Sequence, residues 1–183
     1  MSETMLGLPG RADNAPVKEF SDDVKRRAQE IIARYPHPKS ALLPLLHLAQ
    51  DRDGWVSPAA MGEIAGLLGL TPALVLGVCS FYSMLKREPV GRLVVSVCTN
   101  VSCLVNGGTE LFEELRARYA GDPEVLVEEV ECIAHCDRAP AFQVNYDFHG
   151  PADPDQATDV IEQYQRRDLV ARTISGTSPA GMP

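Results

Sequence analysis

The sequence predicts an α+β protein in two parts, a small helical bundle followed by a small α/β domain with a mixed sheet. Three observations carry this reading. Apolar residues recur at helical spacing as far as about residue 86, then the pattern switches near Pro89-Val90-Gly91 to short β-branched runs. Formal charge divides along the same line: residues 1–109 hold 11 Lys/Arg against 10 Asp/Glu, a net of +1, while 110–183 hold 6 against 15, a net of −9. Such asymmetry marks two units with different surfaces. A chain of 183 residues has room for one ordinary domain or two small ones.

The expected organisation is a mobile tail at 1–20, a helical domain at 21–88, an α/β domain at 89–170 and a second mobile tail at 171–183. Both tails carry Gly, Pro and polar residues without apolar period. In the first helix Val24, Ala28, Ile31 and Ile32 fall on one face, with Ser21 placed to cap it and Pro36 and Pro38 to end it. The run ALLPLLHLAQ sets Pro44 in a first turn, where a missing N–H costs least. Ser57-Pro58 and Thr71-Pro72 then repeat one start signal, a hydroxyl at the N-cap before proline at N1, with Gly69 as the stop between them.

In the second part, Leu93–Val97 is β-branched and predicts a strand. Leu111, Phe112, Leu115 and Tyr119 share a face and predict a helix over 109–120. Val125–Val130 predicts a second strand, Ala141–Asn145 a third, and residues around Phe148 a hairpin partner. Asp153-Pro154-Asp155-Gln156 has the form of a capping box and opens a last helix to about Arg167.

Composition excludes several functions. A net charge of −8 lacks the clustered Lys and Arg that phosphate binding needs, so nucleic acid is not an expected partner. No run approaches the roughly 18 apolar residues that span a bilayer, and the amino terminus does not read as a signal peptide. The expected compartment is the cytoplasm, where thiols stay reduced and cysteines more often bind metal than pair. Neither G-x-G-x-x-G after a strand nor G-x-x-x-x-G-K-[ST] occurs, so no nucleotide motif is present.

Four of the five cysteines form two pairs, Cys98 and Cys103 as C-x4-C and Cys132 and Cys136 as C-x3-C. Each pair directly follows a predicted strand. If those strands lie parallel and adjacent, joined by the 109–120 helix, both loops emerge at one end of the sheet and four thiolates share a site. An iron–sulfur cluster suits the wider spacing. Structural zinc prefers tighter knuckles, so this spacing lies at the loose edge of its pattern. A thioredoxin-type C-x-x-C is absent. Four unrelated buried cysteines remain the bland alternative.

The strings VCTNVSC and EEVECIAHCDRAPAFQVN, with Gly107-Gly108 between them, resemble the E-subunit family of NADH-quinone oxidoreductase (respiratory complex I), a thioredoxin-like [2Fe–2S] ferredoxin. KSALLPLLHLAQDRDGWVSPAAM and LGLTPALVLGVCSFYSM resemble that family's helical domain, so the likeness covers about 25–170. The resemblance implies that Cys98, Cys103, Cys132 and Cys136 hold a [2Fe–2S] cluster. It also implies that FMN and NADH reside on a partner subunit, and that a larger iron–sulfur subunit lies beyond it. The chain is then part of an oxidoreductase with no turnover of its own, peripheral on the inner face of the cell membrane as one member of a complex. Two alternatives stand beside this reading: the same module in a cytoplasmic NAD-linked hydrogenase or formate dehydrogenase, and a zinc-stapled structural adaptor. Three departures from the family pattern are a short Gly121-Asp122-Pro123-Glu124 connection, His135 in place of a small residue, and Cys79 where Ala is usual.

Residues 110–131 hold eight acids and two arginines, among them Glu128, Glu129 and Glu131 just before Cys132. Such surroundings disfavour added negative charge and predict a low reduction potential, unless the glutamates are a solvated strand face. The amino end of the 109–120 helix is expected to point at the first cysteine pair and favour thiolates. His135 reads as a rim histidine, Cys79 as a packed helix thiol, and Trp55, Phe81 and Tyr82 as core aromatics by default. His37 and His47 share no ligand spacing with other residues.

Overall fold

The structure, a computed structural model, describes residues 19–166. The two expected tails therefore lie outside the described residues except for Glu19 and Phe20, and Phe20 is buried in the first core under the Arg52 guanidinium.

Four helices build the first core: α1 (Asp22–Ile32), α2 (Leu42–Asp53), α3 (Pro58–Leu68) and α4 (Pro72–Phe81), with a short 3-10 turn at Pro38–Ala41 before α2. The capping signals act as read. Ser21, Ser57 and Thr71 each accept the N–H three residues on, at 3.4, 3.1 and 3.3 Å, and Gly69 closes α3 at φ 64°. Each cap satisfies a donor that the helix itself leaves unpaired. Leu45, Leu46, Ile64, Val56 and Val75 are fully enclosed between these helices. Removing one such Leu or Ile side chain costs about 2–5 kcal/mol in cores of this kind.

The second core is organised by β1 (Leu93–Cys98), the centre of a four-stranded sheet in the order β2-β1-β3-β4. β2 (Val125–Val130) runs parallel to it, with Leu93 opposite Val125 and Cys98 opposite Val130. β3 (Phe142–Val144) pairs antiparallel on the other side and continues into β4 (Asp147–His149), completing the mixed sheet. Between β1 and β2 the chain forms α5 (Val101–Leu104) and α6 (Gly108–Arg118); after β4 it forms α7 (Pro154–Arg166). Leu93, Val95 and Val97 alternate onto the face where Leu111 and Leu115 of α6 and Ile161 of α7 pack. The predicted capping box is complete. Asp153 Oδ1 accepts the Gln156 N–H at 2.8 Å, and Gln156 Oε1 accepts the Asp153 N–H at 3.1 Å. The Ala139–Pro140 and Gly150–Pro151 peptides are cis.

The opposite face of β1 carries one polar residue, Ser96, between Val94 and Cys98. Ser96 is 2% exposed and donates to Glu128 on β2 at 2.8 Å; Glu128 in turn takes the Lys86 ammonium from the segment after α4. That segment is also tied to α2: Gln50 donates to the Met84 carbonyl at 2.9 Å and accepts the Lys86 N–H at 2.6 Å. A seam of paired polar groups thus joins the two cores directly behind β1. Within it, burial raises the Asp51 carboxyl to about 6, opposed by Arg27.

Candidate iron–sulfur site

β1 and β2 are adjacent and parallel, so the chain leaves both at the same edge of the sheet. There it forms the two cysteine loops. Cys98 is the last residue of β1, held by its N–H on the Ala141 carbonyl at 3.0 Å. The chain then enters α5, whose N-cap Asn100 accepts the Val101 N–H at 2.8 Å. This single turn swings Cys103 back beneath the loop. Cys98 and Cys103 are 3% and 2% exposed and pack with Ala141 in a small apolar cluster.

α6 begins against these two residues. A Cβ on Gly108 would lie 2.7 Å from the Cys98 carbonyl oxygen and 2.9 Å from the Cys103 carbonyl group. Only a residue without a side chain lets the helix start there. The preceding Gly107, at φ 90°, supplies the turn that aims it. The expected approach of the helix amino end to the first pair is therefore observed, with the helix beginning at Gly108 and following α5. Sequence reasoning did not find α5, nor the packing role of Gly108. The Asn at 100 was the available sign of a helix start inside the C-x4-C spacing.

The second loop leaves β2 at Val130. Cys132 and Cys136 are exposed, with Ala134 between them at φ 59°. That conformation brings the Ala134 N–H onto Cys132 Sγ at 3.3 Å. The two loops meet: Cys98 Sγ–H donates to the Glu131 carbonyl at 3.4 Å, Thr99 N–H to Val130 O at 3.2 Å, and Thr99 Oγ1 to Glu129 at 2.6 Å. Cys103 lies within electrostatic reach of both Cys98 and Cys136. Burial pushes its thiol up; a backbone hydrogen bond from Ala141 opposes the shift, and the neighbouring thiols add to it. Three of the four sulfurs thus share one neighbourhood, and Cys132 opens the same loop on its solvent side.

This donor set fits a two-iron cluster. Four thiols from two loops would supply two ligands per iron, a backbone N–H points at the Cys132 sulfur, and half of the set is shielded from water. The C-x4-C and C-x3-C spacings are looser than the short knuckles that structural zinc prefers.

The other expected residues separate clearly. His135 is a rim residue, with Nδ1 3.4 Å from Asp137 and its ring 5.7 Å from that of Phe148. The three glutamates are not alike: Glu128 is paired in the seam, Glu129 takes the Thr99 hydroxyl, and Glu131 is exposed. Cys79 is a fully buried thiol on α4. Phe81 corrects the default of a core role, since it is 80% exposed with only its edge-on contact to Tyr82 at 5.1 Å. An apolar helix signals burial without specifying which of its faces has a neighbour. Among the described residues no single helix is long and apolar enough to cross a membrane.

A family model, that of the thioredoxin-like [2Fe–2S] ferredoxins, matches residues 28–165. The NADH-quinone oxidoreductase E subunit of Mycobacterium tuberculosis (strain ATCC 25618 / H37Rv) is 40% identical over an alignment of 161 residues that covers 82% of this chain. The chain spans 64% of the length of that relative. Subunit 2 of the NADH-quinone oxidoreductase of Thermus thermophilus is 38% identical over 135 residues, covering 69% of this chain and 75% of its own. An air-oxidised NAD+-reducing [NiFe]-hydrogenase shares the fold, with a TM-score of 0.60 and 24% identity over 68% of this chain and 23% of its own. The family match runs from within α1 to within α7 and takes in both cysteine loops, so this chain belongs to the thioredoxin-like [2Fe–2S] ferredoxin family.

Proposed function

We propose that this chain is the electron-transfer component of an NADH-quinone oxidoreductase. Cys98, Cys103, Cys132 and Cys136 would hold a [2Fe–2S] cluster that exchanges single electrons with the flavin of the partner NADH-oxidising subunit. The observation that carries this reading is the convergence of two cysteine loops at one end of a parallel strand pair, with Cys103 beside both Cys98 and Cys136. Names of the relatives support the parent complex.

The residues of this chain bind and insulate. Cys98 and Cys103 are fixed by β1, α5 and the Gly108 contact, so their sulfurs need little rearrangement during electron exchange. Cys132 and Cys136 stand in the exposed loop, which makes that side the short route for an electron. No acid, base or nucleophile is required, and turnover belongs to the assembled enzyme. By the same reading residues 21–88 form a helical domain and 89–170 the cluster domain. The flavin- and NADH-binding subunit docks on this chain, the larger iron–sulfur subunit lies beyond it, and the whole is peripheral on the inner face of the cell membrane.

An anaerobic visible spectrum with iron, sulfide and zinc analysis, then EPR after dithionite, tests the reading. About two irons and two sulfides per chain, with a rhombic signal on reduction, are expected. Zinc without sulfide in freshly purified, oxygen-protected protein would leave a structural adaptor instead.

A further inference from the structure

We propose that Thr99 and Glu129 are positioning residues for the cluster. Their hydrogen bond clasps the first cysteine loop to the end of β2 and holds one carboxylate beside the four thiols, where its charge opposes reduction. The proposal rests on the functional reading above and adds what sets the loops against each other and tunes the electron affinity of the site.

The parallel pairing of β1 and β2 ends with Cys98 opposite Val130. Past that point neither loop follows the sheet, so the spacing of the two cysteine pairs depends on what crosses between them. Cys98 Sγ–H donates to the Glu131 carbonyl at 3.4 Å, Thr99 N–H to the Val130 carbonyl at 3.2 Å, and the Thr99 hydroxyl to Glu129 Oε1 at 2.6 Å. A sulfur that ligates iron carries no proton, so the Cys98 contact belongs to the free thiol. Both Thr99 bonds use no ligand atom and are compatible with a bound cluster. The hydroxyl bond has the length of a charge-assisted O–H···O contact. It ties the residue that follows Cys98 to the carboxylate three residues before Cys132.

The three glutamates ahead of Cys132 differ in what they can do to an added electron. Glu128 pairs with the Lys86 ammonium in the seam behind β1, which cancels its charge, and Glu131 is exposed. Glu129 accepts from a neutral hydroxyl, so its carboxylate is held in place with its charge intact. A fixed negative charge beside the thiols disfavours the reduced cluster. Because Glu129 is exposed, salt screens part of that effect. Clasp and charge are separable by substitution: Glu129→Gln keeps an acceptor oxygen and loses the charge, Thr99→Val keeps the shape and loses the donor, and Thr99→Ser keeps the donor.

The test uses the full chain loaded with cluster under anaerobic conditions. In a redox titration at about 50 mM salt, Glu129→Gln should hold a reduced-to-oxidised ratio at least about threefold above that of the unaltered chain at the same potential. At about 500 mM salt that gap should narrow. Thr99→Val should release iron to a chelator at least about threefold faster and broaden the EPR signal of the reduced cluster, while Thr99→Ser restores both. An unchanged or lower ratio in Glu129→Gln would overturn the proposal and leave the functional reading intact. So would unchanged iron release and EPR signal in Thr99→Val, or Thr99→Ser failing as Thr99→Val does. If Thr99→Val takes up no cluster, normal uptake by Thr99→Ser supports the clasp and absent uptake overturns it. An unaltered chain that takes up no iron and sulfide would overturn the functional reading, and this proposal with it.

Discussion

The loop from Cys98 to Cys103 buries both of its cysteines and folds into a helical turn, whereas the loop from Cys132 to Cys136 leaves both in solvent and bends through an alanine at φ 59°. The first is defined by tertiary packing: β1 behind it, Ala141 beside it, and the amino end of α6 pressed against its carbonyls. The second has one apolar anchor, Ile133 against the Cys98, Cys103 and Ala141 cluster, and is otherwise shaped by its own backbone through the Ala134 N–H on the Cys132 sulfur. As a cluster site the pair of loops would have one preset half, anchoring two of the proposed ligands, and one half that can adjust as the other two close. It also leaves a thin side for electron exchange and a thick side that excludes water. Substitutions in the two loops should therefore fail differently.

The largest effect is expected at Gly108. Gly→Ala within a helix ordinarily stabilises by about 1 kcal/mol. Here the new methyl meets backbone atoms of Cys98 and Cys103 at 2.7–2.9 Å, and neither can yield without moving a ligand. Gly108→Ala should destabilise the protein by about 2–3 kcal/mol and cut iron and sulfide per chain several-fold. Thermal unfolding and metal analysis on the same preparation check it. Stability that rises, with full cluster content, would show that the first loop is as adjustable as the second.

Next in size is the contrast between Cys103→Ser and Cys132→Ser. Either removes a ligand and should lose or alter the cluster signal. Only Cys103→Ser also sets a hydroxyl in a pocket 2% exposed, where the Ala141 N–H is its backbone partner, adding about 1 kcal/mol of destabilisation to the cluster-free chain. Chemical denaturation of both variants stripped of iron isolates that difference. Equal midpoints would erase the distinction between a packed and an open pair.

How much of this was readable from the sequence depends on range. Caps and periods are local, so Ser57-Pro58, Thr71-Pro72 and the Asp153/Gln156 box formed as written, and β1 alternates as its β-branched pattern requires. The meeting of the two cysteine loops was legible because a strand precedes each pair and the crossover between them makes the strands parallel. α5 was hidden because four residues inside a ligand spacing are too few to show a period. Gly108 was hidden because its meaning lies in atoms of Cys98, ten residues away. The charge pattern misled in one respect. Glu128 counts as an acid near Cys132, but Lys86, 42 residues earlier, pairs with it in the seam behind β1. That pairing removes it from the charges that would lower a reduction potential.

Asp51 provides a substitution that moves stability while leaving both loops alone. Its carboxyl is raised from 3.8 to about 6 by burial, so between those values the folded state binds more protons than the unfolded one. Stability from this group is therefore present at low pH and lost as pH rises through about 6. Because the side chain is only half-buried, solvent screening reduces the effect to about 1 kcal/mol. Asp51→Asn should raise the unfolding temperature most at pH 7.5, by about half as much at pH 5 and hardly at all below the unfolded value of 3.8, with iron content at pH 7.5 equal to the unaltered chain. A larger gain at pH 5 than at pH 7.5 would reverse the assigned sign.

The smallest expected effect tests the second loop itself. Ala134 sits in the left-handed region, which costs a residue with a Cβ roughly 1 kcal/mol and glycine almost nothing. Glycine gives back part of that gain by loosening the unfolded chain. Ala134→Gly should stabilise the cluster-loaded protein by about 0.5 kcal/mol, read as a small rise in unfolding temperature, with unchanged iron and sulfide. The sign is decisive. A left-handed alanine relieved by glycine means the loop is bent to present Cys132 and Cys136 at a local cost, borne by the rigid half of the site. A loss of stability or of iron would mean that the Ala134 methyl itself orders the loop, and that the exposed pair is held by packing after all.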